Sequence, residues 1–215
     1  RQMCIRDRLY LAKRLASSLG INFTDVIPRT GTPDGILIPS DRNPNTTGAK
    51  LLGLAASSPT QGIQSIVSGV KDGSIKGVIS FGEDLSAIGI SAAEMKKLDA
   101  LIVTCILPDE TSANATVVLP SAAWAEKRGS MININGRLQR LNIAVQPPVQ
   151  AKDDWEILNS LLVATGTVTA FNTIEDVFRA MSQDIPSFAG LNLGKIGDLG
   201  VVLPSVISTA TSTTA

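Results

Sequence analysis

Residues 76–120 read KGVISFGEDLSAIGISAAEMKKLDALIVTCILPDETSANATVVLP, and this stretch decides the fold. Lys76 to Gly82 is a β-branched run closed by a glycine. Ala100 to Leu107 is apolar almost throughout, the pattern of a strand covered on both faces. Ala115 to Pro120 is a third such run, reached through a polar link. Between the first two, Ser91-Ala92-Ala93-Glu94 has the form of a capping box and sets a short helix to about Leu98. Strand, helix, strand, helix, strand in this order predicts an α/β domain, its largely parallel sheet flanked by helices.

Upstream the pattern is helical from Leu9, with Leu11, Leu15 and Leu19 at i, i+4, i+8 and Gly20 placed to end the helix. Gly35-Ile36-Leu37-Ile38-Pro39 reads as a short buried strand. Ser40 to Gly48, rich in Asn, Pro and Thr, reads as an exposed loop. Ser58-Pro59-Thr60-Gln61 combines a capping box with proline at the first helical position. Ile63, Ile66, Val67 and Val70 then give one apolar stripe, and Gly73 closes the helix. Residues 1–8, RQMCIRDR, lack amphipathic period, caps and turn chemistry, and are expected to be non-native read-through. The domain proper is expected over 9–207, with the Ser/Thr-rich residues 208–215 a disordered tail.

Downstream of Pro120 the character changes. Ser121 to Lys127 reads as one or two helical turns stopped by Gly129. Met131 to Arg140 places apolar residues on each side of Asn135-Gly136, which predicts a β-hairpin with a type I′ turn. After Pro147-Pro148, Asp153-Asp154-Trp155-Glu156 caps a helix with Trp155, Leu158 and Leu162 on one face. A last helix starts at Thr173 with Ile174, Val177, Phe178 and Met181 as its stripe and Ile185-Pro186 as its stop.

Composition excludes more than it suggests. The chain has 215 residues, 44% apolar and 18% charged, which suits a well-buried globular body. Nineteen basic and nineteen acidic residues cancel, so nothing draws it to nucleic acid or anionic lipid. No apolar run approaches the ~18 residues needed to span a bilayer. There is no histidine, which removes Ser-His-Asp triads, Cys-His dyads and His-ligated zinc. Two cysteines, Cys4 and Cys105, are too few for a four-cysteine iron–sulfur cluster. Spacing yields no catalytic residue and no metal site.

What remains is a crevice at the carboxyl edge of the sheet. Gly82-Glu83-Asp84 follows the first strand of the pattern and Asp109-Glu110-Thr111 the second. Gly82, Glu83, Asp84, Asp109 and Thr111 are therefore the candidate cofactor-binding residues, in loops placed to face a nucleotide or pterin, with ordinary strand-ending turns as the alternative. Their loops bring four carboxylates and no basic residue, a poor surface for a phosphate-bearing ligand. Glu126-Lys127-Arg128-Gly129 reads as a helix end of mixed charge, and Trp124 and Trp155 as core or interface anchors. Cys105 reads as a small buried hydrophobe.

Val117 to Ser130, VVLPSAAWAEKRGS, resembles the "DVVLP-aaa-x-aEkdGT" block of the molybdopterin oxidoreductase superfamily. In step with it, Asn133-Ile134-Asn135-Gly136-Arg137-Leu138-Gln139-Arg140 is similar to "NtEGRvQr", and Asp154-Trp155-Glu156-Ile157-Leu158 to "DWeIl". Upstream, Asn45-Thr46-Thr47-Gly48-Ala49 resembles "pNsrGa", and Ile75 to Asp84 resembles "ikalyvlGedp". Together these blocks cover about residues 35–160.

Within the superfamily the "NGR" hairpin and Ile185-Pro186-Ser187-Phe188-Ala189-Gly190-Leu191 resemble the large iron–sulfur subunit of NADH-quinone oxidoreductase, respiratory complex I. That resemblance implies a scaffold in an enzyme passing electrons from NADH to quinone. It implies no cofactor in this fragment, iron–sulfur clusters in an amino-terminal part, and the other peripheral-arm subunits of complex I as partners. It also implies a peripheral location on the cytoplasmic side of the inner (plasma) membrane. The alternative is a fragment of a molybdenum or tungsten bis-pterin oxidoreductase such as a formate dehydrogenase, with molybdopterin as cofactor. A free-standing module that binds a guanine nucleotide is a further alternative. In cofactor-binding relatives an aspartate commonly stands where this chain has Cys105, and cysteine offers guanine no paired acceptor.

Overall fold

The computed structural model describes residues 6–55, 59–148, 150–166 and 170–203. Helix α1 (Arg6–Ser18) leads through a long irregular segment to α2 (Thr46–Leu51) and α3 (Pro59–Asp72). Then β1 (Gly77–Phe81), α4 (Ala92–Met95), β2 (Ala100–Cys105), α5 (Glu110–Ala113) and β3 (Val117–Pro120) alternate. The three strands form a parallel sheet in the order β1-β2-β3, with Phe81 opposite Thr104 and Cys105 opposite Pro120. The α/β fold with its parallel sheet is the one the sequence predicts.

Local chemistry explains these boundaries. Ser91 and Glu94 exchange hydrogen bonds as a capping box and start α4. β2 keeps Leu101, Val103 and Cys105 against one apolar cluster with Val70, Leu85, Ile90 and Met95. It stops at Cys105, so Leu107 lies outside it and is exposed, where the sequence extended the run. β3 leaves Val117 and Val118 half open to solvent, as an edge strand does.

Beyond β3 a second, antiparallel sheet forms from β4 (Gly129–Ile132), β5 (Arg137–Leu141) and β6 (Val201–Val202), with β5 central. Residues 124–126 make a single 3-10 turn rather than a longer helix, and Gly129 opens β4 instead of capping anything. The hairpin stands where Asn135-Gly136 predicts it, but its turn is not type I′. Among the described residues only glycines have positive φ, so Asn135 does not supply the second one that type I′ requires. Instead the Gly136 N–H donates to the Asn133 carbonyl at 3.0 Å, and the Asn133 side chain accepts from the N–H groups of Asn135 and Arg137. This is a type I turn finished by a left-handed glycine, with Gly136 at φ 71°. Gly136→Val is expected to cost about 1–2 kcal/mol, because it forces a β-branched side chain into that region. A urea-melt midpoint unchanged from the parent would refute the turn geometry.

Helices α6 (Asp154–Ala164) and α7 (Ile174–Asp184) pack on α1. A short α8 (Leu193–Ile196) then leads into β6. Leu11, Leu15, Leu158, Leu162, Val177 and Phe178 are buried in the larger core. Leu19 is half exposed, since α1 ends at Ser18 and Gly20 turns the chain at φ 63°.

Three expectations need correction. Residues 35–39 are not a buried strand: Asp34 accepts from the N–H groups of Ile36, Leu37 and Ile38 at 2.8–2.9 Å, curling them into an exposed loop. Residues 40–48 are not wholly an exposed loop: Asn45 is buried, its side-chain oxygen accepts from the Ile132 N–H, and α2 starts at Thr46. Residues 1–8 are not all outside the fold. The α1 helix begins at Arg6, and Asp7 and Arg8 are buried. Residues 1–5 with Cys4, the Ser58 cap and the expected tail 208–215 lie outside the described residues.

Candidate functional site

The carboxyl ends of β1 and β2 carry the two loops that hold the sequence candidates. Gly82, at φ 69°, turns the chain out of β1 where a side chain would be strained, and its N–H donates to the Thr104 carbonyl at 2.7 Å. The Ser80 hydroxyl donates to the Glu83 carbonyl and holds the turn. Asp84 then caps a single 3-10 turn, accepting from the N–H and hydroxyl of Ser86. From the second loop, buried Thr111 donates to the same Asp84 oxygen at 2.8 Å and accepts from the Leu85 N–H at 2.7 Å. Asp109 caps α5 by accepting from the Ser112 N–H at 2.7 Å.

The structure therefore brings Gly82, Glu83, Asp84 and Thr111 together, while Asp109 serves its own helix. Burial pushes the Asp84 carboxyl up, but the Thr111 and Ser86 donors outweigh it and hold Asp84 below the usual carboxylate range. Glu83 is not a bare charge either. Arg29 pairs with both its carboxylate oxygens, and the same guanidinium donates to the Asn43 side chain at 3.1 Å. The two loops themselves carry four carboxylates and no basic residue, as the sequence reads, but the fold brings Arg29 from outside them to pair with Glu83, while Asp84 and Asp109 accept from cap donors. Sequence reading missed Arg29 because it lies 54 residues upstream of its partner, in a segment with no periodic pattern. Cys105 is buried, and burial, then the nearby Asp109 charge, pushes its thiol up, which suits a packing residue.

A second constellation was hidden in the sequence. Asp154, at the head of α6 and 1% exposed, accepts from Arg8 at 2.9 Å, from Ser121 at 2.5 Å and from the Lys127 ammonium. Lys127 also donates to Ser121 at 3.0 Å. So Lys127 belongs not to a solvated helix end, as its sequence neighbours suggest, but to a buried ionic cluster joining α1, the stretch after β3 and α6. Burial lowers the Lys127 ammonium below its usual range. Burial raises the Asp154 carboxyl, yet Arg8 and Lys127 together bring it below the usual range. Among the described residues no group of His, Cys, Asp and Glu could hold a metal ion. Trp124 is 55% exposed and anchors no core.

Neighbouring Asp153 behaves oppositely: burial pushes its carboxyl up to about 6, against the Arg128 N–H that it accepts at 3.1 Å. A folded value above the ordinary ~3.9 favours the protonated form, so this group's contribution to stability is full below about pH 4 and lost as pH rises through about 6. Asp153→Asn keeps an acceptor for Arg128 and removes the titration. The variant should gain on the parent by on the order of 1–2 kcal/mol between pH 4 and pH 7. Urea melts across that range check it, and a pH-independent difference would sink the assignment.

A cavity of about 590 Å³ lies against one face of the parallel sheet, lined by Leu9, Leu15, Phe23, Ile66, Ile79 and Ile102 among others. It is mostly apolar, and none of Gly82, Glu83, Asp84, Asp109 and Thr111 lines it. No described helix is long and apolar enough to cross a membrane.

Residues 11–164 match the family model described as molybdopterin oxidoreductase. The F420-dependent formate dehydrogenase 1 subunit alpha of Methanococcus maripaludis is 40% identical over 112 residues, 51% of this chain and 17% of that protein. The NADPH-Fe(3+) oxidoreductase subunit alpha of Geobacter sulfurreducens is 32% identical over 136 residues, 61% of this chain and 16% of that protein. Formate dehydrogenase H of Escherichia coli is 27% identical over 134 residues, 60% of this chain and 19% of that protein. The solved acetylene hydratase from Pelobacter acetylenicus aligns with 66% of this chain and 20% of its own at a TM-score of 0.40 and 16% identity. The chain spans less than a fifth of the length of these curated relatives.

Relatives named as formate dehydrogenases, three of them alpha subunits, overturn the finer resemblance to the large iron–sulfur subunit of complex I. The residues that carried it have structural reasons to be there. Gly136 of the "NGR" hairpin supplies the positive φ its turn needs. The segment 185–191 lies beyond the matched residues and puts Phe188 into the core. The expected complex I partners, membrane-side location and quinone chemistry lose the premise they were drawn from.

Proposed function

The chain belongs to the molybdopterin oxidoreductase family, and from that premise we propose that it is a segment of the alpha subunit of a formate dehydrogenase-type oxidoreductase. The observation that carries this reading is the 40% identity to the alpha subunit of an F420-dependent formate dehydrogenase. The parent protein would hold molybdopterin, which supplies the two-electron chemistry of formate oxidation when bound.

The residues of this segment do not by themselves fit such a cofactor. Asp84, Asp109 and Thr111 are engaged by protein donors and acceptors, Glu83 is paired with Arg29, and Cys105 is buried away as a packing residue. No chemical step is assigned to them. Their work is to tie the two sheet-edge loops to each other, and Arg29 offsets the Glu83 charge alone. The segment is then the frame of a cofactor domain whose chemistry is supplied from elsewhere in the parent.

The test is made on the parent protein purified from its native host. Stoichiometric molybdenum or tungsten together with formate-dependent reduction of an artificial dye is the expected result. Absence of both metals and no response to formate would overturn the reading.

A further inference from the structure

Away from the sheet edge, a cleft of about 470 Å³ opens between the second half of α1 and the end of α7, lined by Tyr10, Lys13, Arg14, Ser17, Ser18 and Asp184. Among them the Arg14 guanidinium is held by two residues, Tyr10 and Phe171. It lies over the Tyr10 ring at 5.7 Å and over the Phe171 ring at 5.8 Å, and it donates to the Tyr10 hydroxyl at 3.1 Å. Each of those partners is fixed in turn. Tyr10 is 2% exposed, and its hydroxyl donates to Asp184 at 2.6 Å. Phe171 is clamped through its backbone, since the Asn159 side chain accepts from its N–H at 3.0 Å and donates to its carbonyl at 2.9 Å. An arginine on a surface helix ordinarily loses much rotamer freedom when it binds anything. Here that entropy is already spent, and the guanidinium fork is preorganised.

The remaining groups share one chemistry. Lys13 is an exposed cation adjoining Arg14, and Ser17 lies one turn further along the same helix. Two cations against one carboxylate leave the cleft net positive, and that carboxylate is already occupied by the Tyr10 hydroxyl. None of these side chains enters the parallel sheet, its loops or the buried Asp154 cluster. Burial and the bond to Asp184 push the Tyr10 phenol up to about 12, so it remains a neutral donor and acceptor at physiological pH.

We propose that this cleft is a binding site for a small oxyanion of the phosphate class, with Arg14 as its fork, Lys13 as its second cation and Ser17 as a neutral donor. A tetrahedral or planar oxyanion accepts two parallel hydrogen bonds from a guanidinium, which a spherical halide cannot do. The site is thus selective by geometry as well as charge.

Tyr10 is the chain's single tyrosine, so tyrosine labelled at the ring ε carbons gives one resolved NMR signal, a probe beside the hydroxyl that Arg14 contacts. Inorganic phosphate titrated into the full 215-residue chain, at ionic strength held constant with sodium chloride, should shift that signal saturably. Arg14→Gln should weaken the binding by about tenfold or more, as expected for a lost charge-assisted hydrogen-bonding partner. Lys13→Gln, at an exposed position with no packing to lose, should weaken it several-fold and decides the matter should the Arg14 variant fail to fold. No saturable shift, an equal shift with chloride alone, or undiminished affinity in the Lys13 variant would overturn the proposal.

Discussion

Asp154→Ala is expected to cost about 3–5 kcal/mol, a large part of what holds a domain of this size folded. The carboxylate removed is fully enclosed and accepts from Arg8, Lys127 and Ser121 at once. Without it the Arg8 guanidinium and the Lys127 ammonium lose the carboxylate enclosed between them, and removing one partner of such a buried group costs more than the pairing was worth. Asp154→Leu combined with Lys127→Met should therefore recover part of the loss, because the apolar pair removes the Lys127 share of that penalty while Arg8 keeps its own. Since Asp154 is held below the usual carboxylate range, its contribution is present at neutral pH and disappears only as the pH falls through that depressed folded value. Urea unfolding of the three chains measures these differences. A loss below about 1 kcal/mol for the single variant would show that the cluster is open to solvent.

Phe178→Ala should be comparably severe, at about 3–5 kcal/mol. Phe178 sits at 0% exposure on the face of α7 that Ile174, Val177 and Met181 also bury, and it belongs to the core cluster that contains Leu11 and Leu15 of α1. Truncation removes the transfer energy of the ring and leaves a hole the surrounding helices cannot close. Trp124→Ala is the control of similar bulk. Trp124 is more than half exposed, so its loss should cost less than about 1 kcal/mol. If the tryptophan variant melts at the lower denaturant concentration, the placement of the core is wrong.

What was legible in the sequence was whatever neighbouring residues specify together. Ser91-Glu94 and Thr173-Asp176 exchange side-chain and backbone bonds within one turn, so both caps could be read directly. The three strands of the parallel sheet announced themselves by β-branched runs bounded by glycine, proline and polar links. The 35–39 loop was misread because Ile36-Leu37-Ile38 has a strand's composition, while one aspartate just ahead of it captures all three N–H groups. Lys127 was misread for a different reason. Its charge looks solvated beside Glu126 and Arg128, and only the folded chain brings Asp154, 27 residues on, against its ammonium. Arg29 and Glu83 are a further case of pairing that no local period encodes. In the candidate site, then, residue types and strand-end position were readable, whereas their occupation by one another was not.

The position of α1 also bears on how the chain is made. Tyr10 finds Asp184 across 174 residues of sequence, and Arg8 finds Asp154 across 146. Helix α1 therefore leaves the ribosome long before α6 and α7, the helices that bury its apolar stripe, have been synthesised. At a typical elongation rate of roughly 5–20 residues per second, Leu11 and Leu15 wait on the order of ten seconds or more for their neighbours. The parallel sheet between them is complete by Pro120 and can form first, but the larger core cannot close until the late helices arrive. Folding of this chain is thus bound to be late and non-local. Its nascent form exposes the apolar stripe of α1, too short a segment to hold a helix alone, and such a stripe is what a holding chaperone shields until α6 and α7 have been made.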